Sequence, residues 1–336
     1  MKYPNIQNHI IVEGIWGIGK TTVTETYAEL FGYILIPEPS HLKTASSEDV
    51  SDLQRWYRNA HMQLESHLEQ SNPCIVERSI LSVFAFEYAS TGTLPTHEEM
   101  KRIRQKLEKT KTLLVYLSPD QTPYRTDQQP TYSEKIQYIL QHKDAQDRYF
   151  EFYLKILPWQ FGIAPLVLSS INEVTRRDAE TVAKEIRTAI GAQRVAQMNV
   201  ICMNPHARVD QPQILLLRRT PRRGGFWQAI TGGVHPGEPL SNVAIRETEE
   251  ETNITIQSSD LQATHFSHTF IGNDGYELTE YVFVAWIHEP KDVHHSDEHD
   301  DIRWVSAEEA KKLMVYESNR IALDHAIATV QKRPTE

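Results

Sequence analysis

The chain has 336 residues, 40% of them hydrophobic, with 35 Lys and Arg against 45 Asp and Glu for a formal charge of −10. That length suits about two ordinary domains, and the acidic balance excludes a chain-wide positive field able to grip a nucleic acid through its backbone. A loop of N–H groups or a bound cation can still hold a small phosphorylated ligand. Cys74 and Cys202, far apart and each inside an apolar run, exclude a disulfide framework, and without a signal-peptide pattern or an apolar run longer than a strand, a cytoplasmic chain with no membrane span is expected.

Up to about residue 190, short apolar runs alternate with longer amphipathic ones. Strands are predicted at 9–13, 33–36, 74–77, 112–117 and 164–168, and helices at 21–31, 49–70, 98–109, 133–156 and 178–190. Apolar strands separated by helices predict an α/β fold: a doubly wound parallel sheet covered by helices. After Gly191 the chain becomes strand-rich, with strands predicted at 200–203, 214–217, 254–256 and 277–287 and helices at 240–252 and 307–314. An α+β domain is expected there, giving domains of 1–192 and 198–336 joined by a segment too short for a flexible tether.

The first predicted strand runs into Gly14-Ile15-Trp16-Gly17-Ile18-Gly19-Lys20-Thr21-Thr22, which fits G-x-x-x-x-G-K-[ST] without mismatch. Gly14, Gly17 and Gly19 let the backbone turn its N–H groups toward phosphate oxygens. Lys20 reaches the β and γ phosphates, and Thr21, followed by Thr22, offers a hydroxyl to Mg²⁺. This stretch, with Pro37-Glu38-Pro39 and Glu77-Arg78-Ser79 plus Ser82, resembles the thymidylate kinase and deoxynucleoside kinase group over roughly the first 190 residues. The resemblance implies a P-loop kinase with ATP as phosphoryl donor. Glu38 would orient or deprotonate the acceptor, and Arg78 would stabilise the transferring group; the plainer alternatives are a turn residue for Glu38 and a structural ion pair with Glu77 for Arg78. The acceptor stays open, because Glu77-Arg78-Ser79 reads like the nucleoside kinases and Ser82 with Ala85-Phe86-Glu87 like the thymidylate kinases. A monophosphate acceptor needs a further cation, for which Arg55 and Arg58 are placed. The segment 118–132, where relatives carry a closing set of arginines, holds only Arg125, with Arg148 further along. A homodimer is a further expectation from the resemblance.

The second half contains Gly232 and Glu238, then Arg246-Glu247-Thr248-Glu249-Glu250-Glu251-Thr252-Asn253-Ile254. Glu247, Glu250 and Glu251 fall at i, i+3 and i+4 of a predicted helix, so their carboxylates share one face and repel. Such an oxygen-only cluster suits Mg²⁺ or Mn²⁺, a solvated acidic face being the alternative. The spacing resembles the Nudix box, G-x5-E-x7-R-E-U-x-E-E-x-G-U, with Asn253 for the last glycine and Thr248 for an apolar residue. The flanks, Leu215 to Arg219, Phe226-Trp227-Gln228 and Ser296 to Trp304, resemble the dihydroneopterin triphosphate pyrophosphohydrolase branch. The resemblance implies an α/β/α sandwich, metal ligation by Glu247, Glu250 and Glu251, catalysis by Glu250 and Glu251, and assistance from Glu298. His294, His295 and His299 are too irregularly spaced for zinc, and Trp227 and Phe226 suit either a base or the core. The whole reads as a bifunctional enzyme acting on small nucleotides or nucleosides. The alternative is one active half with the other sensing or binding a nucleotide.

Overall fold

The computed structural model describes residues 8–39, 50–119, 134–172, 175–207, 211–290 and 293–332. The chain divides into two compact units, one up to Val195 and the other from Ala196 on, with His235–Gly237 and Ile271–Glu277 grouped with the first. No helix among the described residues is long and apolar enough to cross a membrane.

The first unit contains, in chain order, β1 (Ile10–Gly14), α1 (Lys20–Phe31), β2 (Ile34–Ile36), α2 (Val50–Leu64), β3 (Cys74–Glu77), α3 (Ile80–Thr91), α4 (His97–Lys109), β4 (Leu113–Pro119), α5 (Glu134–Gln141), α6 (Lys143–Glu151), α7 (Leu157–Phe161), β5 (Leu166–Asn172), β6 (Thr175–Arg176) and α8 (Ala179–Ala192). The sheet order is β2-β3-β1-β4-β5-β6, parallel from β2 to β5, with β6 antiparallel at the edge. β1 and β3 are buried along their whole length, as are Leu113 to Leu117 of β4, which explains why they read as unbroken apolar runs. In α1 the buried positions Lys20, Val23, Thr24 and Tyr27 recur at helical spacing, so the helix presents one face to its surroundings while its first residue reaches the glycine loop. Parallel pairing has one consequence for function: the carboxyl ends of β2, β1 and β3 lie side by side, bringing together Glu38, the glycine loop and Arg78.

Two expectations are corrected here, and one unpredicted helix is added. The predicted helix at 133–156 is α5 and α6, broken at His142, followed by a π-helical turn (Phe152–Ile156) that leads into α7. The predicted 49–70 helix ends at Leu64 and tightens into a 3₁₀ turn (Glu65–Glu69). The sequence reading missed α3, whose first six residues, Ile80 to Ala85, are all buried; a helix covered all round shows no polar stripe.

The second unit contains β7 (Ala196–Met203), β8 (Gln213–Arg219), β9 (Trp227–Gln228), β10 (Ile230–Val234), α9 (Leu240–Thr252), β11 (Leu261–Ile271), β12 (Glu277–Trp286), β13 (His299–Ser306), α10 (Ala307–Leu313) and α11 (Glu317–Gln331). Its mixed sheet runs β11-β12-β7-β8-β13, with β10 also on β7 and β9 on β8. β12 is parallel to β7, whereas β10 is antiparallel to β7 and β13 to β8. One sheet face, carrying Ile201, Met203, Ile214, Leu216, Val282 and Val284, packs on Ala322, Leu323, Ala326 and Val330 of α11. Residues 254–256, predicted as a strand, form no strand; they lead from α9 toward β11, which together with α11 was not predicted.

Candidate functional site

At the head of the parallel sheet, Gly14, Gly17 and Gly19 adopt φ of 150°, 77° and 103°, left-handed conformations that side chains resist. Gly14 is also crowded, since a Cβ there would lie 2.9 Å from the Leu117 carbonyl oxygen. Lys20 is 5% exposed and its Nζ donates to the Ile15 carbonyl at 3.0 Å, folding the loop around it. Burial lowers its pKa to about 7, with Arg78 adding to the effect and Glu38, Glu77 and Glu13 opposing it. The Thr21 hydroxyl donates to Glu77 at 2.7 Å. Glu77 thus joins the loop, a place that the sequence reading did not assign to it beyond the Glu-Arg-Ser run.

Arg78 follows β3 with φ 67°, a rare backbone state for a side-chain-bearing residue, and it is 1% exposed. Its Nε lies 3.0 Å from Glu38, its Nη1 donates to Ser82 at 3.0 Å and to Tyr149 at 3.4 Å, and its guanidinium stacks 4.7 Å over Trp16. Arg78 therefore pairs with Glu38, not with Glu77. Although burial works against ionisation, Arg78 and then Lys20 hold the Glu38 carboxyl below its ordinary value. Arg78 Nη2, fully buried, has no hydrogen-bond partner among the described residues. Below it, buried Glu13 accepts from the Ser79 N–H (2.8 Å), the Ser79 hydroxyl (2.7 Å), the Ser82 hydroxyl and Tyr153 (3.0 Å), fixing the turn that carries Arg78. Thr22 is exposed, and Arg125 lies outside the described residues.

In the second unit, α9 lies against β10 and β7. Arg246 is its organising residue. Nε and Nη2 grip Glu238 at 2.9 and 3.0 Å, Nη2 also reaches the Gly233 carbonyl at 3.0 Å, and Nη1 touches Glu247 at 2.6 Å and Glu250 at 3.2 Å. The loop from β10 is thus clamped to the helix by one guanidinium. Gly232 lies directly under Glu247, whose Cδ would sit 1.7 Å from a Cβ built there. Asn253 ends the helix at φ 59°, taking the left-handed turn that the box reserves for glycine, and Thr248 is fully buried with its hydroxyl donating to the Ala244 carbonyl. Gly232→Ala is expected to push Glu247 aside, destabilising the unit by about 1–3 kcal/mol. An unchanged denaturant midpoint would show the contact to be unimportant.

Glu251 is 6% exposed, and its Oε2 has no hydrogen-bond partner among the described residues. Burial first, then Glu247, raises its pKa to about 8; Arg219 opposes this, while Glu298 and Glu250 add to it. His299 Nε2, 3.9 Å away, offers no charge, because burial, helped by Arg219, His295 and Arg223, lowers that imidazole to about 4. Glu298 stands at the edge of the same cluster with Arg223 at 2.8 Å and Arg219 at 4.0 Å. Among the described residues no group of three His, Cys, Asp or Glu side chains is already arranged around a metal position, since Arg246 takes one oxygen each of Glu247 and Glu250. The donor set nevertheless fits a hard divalent cation: the carboxylates repel, and the Glu251 oxygen is buried without a proton donor. Trp227 belongs to the core, with Arg303 4.8 Å over its ring, while Phe226 meets Tyr316 edge-on at 5.3 Å.

The chain is similar to several known proteins. Over 156 residues, 44% of the chain, it is 30% identical to an octanoyltransferase of Myxococcus xanthus, spanning 43% of that protein. It is 33% identical over 90 residues, 27% of the chain, to an asymmetrical bis(5'-nucleosyl)-tetraphosphatase of Caenorhabditis elegans, spanning 65% of it. It is also 28% identical over 130 residues, 35% of the chain, to a dihydroneopterin triphosphate diphosphatase of Escherichia coli, spanning 85% of it. The chain thus spans less than two thirds of the first two relatives. The model of the NUDIX domain family matches residues 194–326, and that part of the chain is a Nudix domain.

Proposed function

We propose that the chain is a bifunctional nucleotide enzyme: a Nudix pyrophosphohydrolase preceded by a P-loop kinase. Support for the hydrolase comes chiefly from the buried Glu251 oxygen, without a hydrogen-bond partner among the described residues, amid Glu247, Glu250 and Glu298. Glu247, Glu250 and Glu251 would hold Mg²⁺ or Mn²⁺, with Glu298 assisting from the other side. When bound, the ion polarises a phosphoanhydride and lowers the pKa of a water. Arg246 and Gly232 fix where the carboxylates stand, and Glu251, once relieved of its proton, can take one from the attacking water. The two names among the relatives that concern phosphoanhydrides favour a nucleoside triphosphate or related compound as substrate, cleaved to a monophosphate and pyrophosphate.

Support for the kinase comes from two buried cations under a glycine loop, Lys20 and Arg78, with Arg78 Nη2 left without a partner among the described residues. Buried donors in that state call for an anion, and the loop's geometry suits the phosphates of ATP. Thr21 and Glu77 would hold the accompanying Mg²⁺. Glu38, beside Arg78, is placed to take a proton from an acceptor hydroxyl. Both halves act on small nucleotides or nucleosides and meet at the monophosphate. A chromatographic screen with Mg²⁺, pairing ATP with a panel of acceptors and running single triphosphates alone, should yield a phosphorylated acceptor and pyrophosphate. Absence of one product class throughout would make the corresponding half a binding module.

A further inference from the structure

On the kinase reading of the first unit, the acceptor is a nucleoside or its monophosphate, and the two make opposite electrostatic demands. A monophosphate brings roughly two negative charges and needs cations beyond those that serve ATP. A nucleoside brings neutral hydroxyls and needs hydrogen-bond partners and a base.

Among the described residues the cations near the site are already committed; the side chain of Arg55, the other arginine placed for an acceptor phosphate, lies outside them. Arg58, which the sequence reading placed to meet an acceptor phosphate, is committed elsewhere: Nε and Nη2 hold Glu87 at 3.2 and 2.5 Å, Nη1 holds Glu99 at 3.1 Å, and the guanidinium lies 5.2 Å over Phe84. Arg78 and Lys20, the cations whose fields reach Glu38, are themselves met by Glu13 and Glu38, and Lys20 by Glu77 as well. Next to this pair stand two uncharged groups one turn apart on α2, Tyr57 and His61, with rings stacked at 6.5 Å. Both lie close enough to Glu38 and Arg78 to respond to their charges. His61 is 2% exposed, and its Nδ1 has no hydrogen-bond partner among the described residues. Burial lowers its pKa to about 4 despite Glu38, so it is an uncharged imidazole at neutral pH.

A buried, neutral imidazole whose Nδ1 has no partner among the described residues, near a carboxylate, is poor equipment for a phosphate and good equipment for an alcohol. We infer that the first unit phosphorylates a hydroxyl of a free nucleoside, and that His61 recognises this acceptor through a hydrogen bond at Nδ1. The acceptor oxygen forms a new bond to the γ-phosphorus of ATP, and the bond from that phosphorus to the β–γ bridging oxygen breaks. ADP leaves with the electron pair, and the hydroxyl proton passes to Glu38 and on to solvent.

The test incubates the full chain with Mg²⁺ and γ-labelled ATP, offering 2′-deoxynucleosides and ribonucleosides in one arm and their 5′-monophosphates in the other. Hydrolysis by the Nudix domain leaves the label in pyrophosphate, so label on an acceptor reports transfer alone. Labelled monophosphates from the nucleoside arm, with the monophosphate arm inert, are expected. Labelled diphosphates with inert nucleosides would overturn the inference while upholding the kinase, and no labelled acceptor in either arm would overturn both. His61→Ala is expected to raise the nucleoside KM about tenfold and leave the KM for ATP unchanged, with His61→Asn restoring much of the loss. An equal change in both constants, or none, would remove His61 from acceptor recognition.

Discussion

Glu251→Gln is expected to lower hydrolysis by about 10²–10³-fold or more while making the metal-free protein more stable at alkaline pH. The two effects share one cause. Glu251 is buried among like charges, so its carboxyl keeps a proton up to about pH 8, whereas in the unfolded chain it loses that proton near its ordinary value of 4.5. Between those values the folded state binds more protons than the unfolded state, so the stability linked to this group is present below about pH 4.5 and declines as pH rises to about 8. Glutamine keeps the shape and cannot ionise, which removes that decline. Unfolding midpoints of metal-free protein, measured from pH 5 to 9, should therefore fall more steeply for wild type than for Glu251→Gln. Adding Mg²⁺ near pH 7 should release protons from wild type and fewer from the variant. A variant that still hydrolyses at the wild-type rate would remove Glu251 from the reaction, and one that keeps the wild-type pH slope would assign that slope to another group.

What the sequence made readable follows a physical rule. The glycine loop, β1, β3 and α9 were legible because each obeys a local constraint: a positive φ, a strand buried on both sides, or a carboxylate face at helical spacing. Asn253 could be assigned to a left-handed turn because its side chain tolerates that conformation, and it does adopt it. Elements whose partners are distant were not legible. α3 hides its period because it is surrounded by other elements, and the buried face of α11 relies on alanines, Ala322 and Ala326, that read as neutral. In β11 most side chains are only half buried, so its alternation is weak. Ion-pair partners also escaped the reading: Arg78 joins Glu38 across two strand ends, Arg58 reaches from α2 to α3 and α4, and Thr21 meets Glu77 across 56 residues. None of these pairings leaves a mark in local spacing.

Lys20→Met, the second large effect, should abolish phosphoryl transfer to any acceptor, a loss of about 10³-fold or more, and leave hydrolysis by the Nudix domain unchanged. The burial of Lys20 adds a proton-linkage signature to that expectation. Burial, aided by Arg78 and opposed by Glu38, Glu77 and Glu13, brings the Lys20 pKa to about 7, far below its ordinary 10.5. The unfolded chain thus holds a proton that the folded chain lacks between about pH 7 and 10.5, and the stability linked to Lys20 rises as pH climbs through that window. Phosphates entering the loop place negative charge beside Nζ and restore its affinity for the proton. Binding of ATP at pH 8 should therefore take up close to one proton. The uptake is measurable by titration calorimetry in buffers of different ionisation enthalpy, without divalent cation so that hydrolysis does not contribute. Lys20→Met should bind ATP more weakly with no such uptake, because the only group it changes is the one that gains the proton. Uptake that persists in the variant would assign the proton to another residue, and transfer that persists would remove Lys20 from the phosphate site altogether.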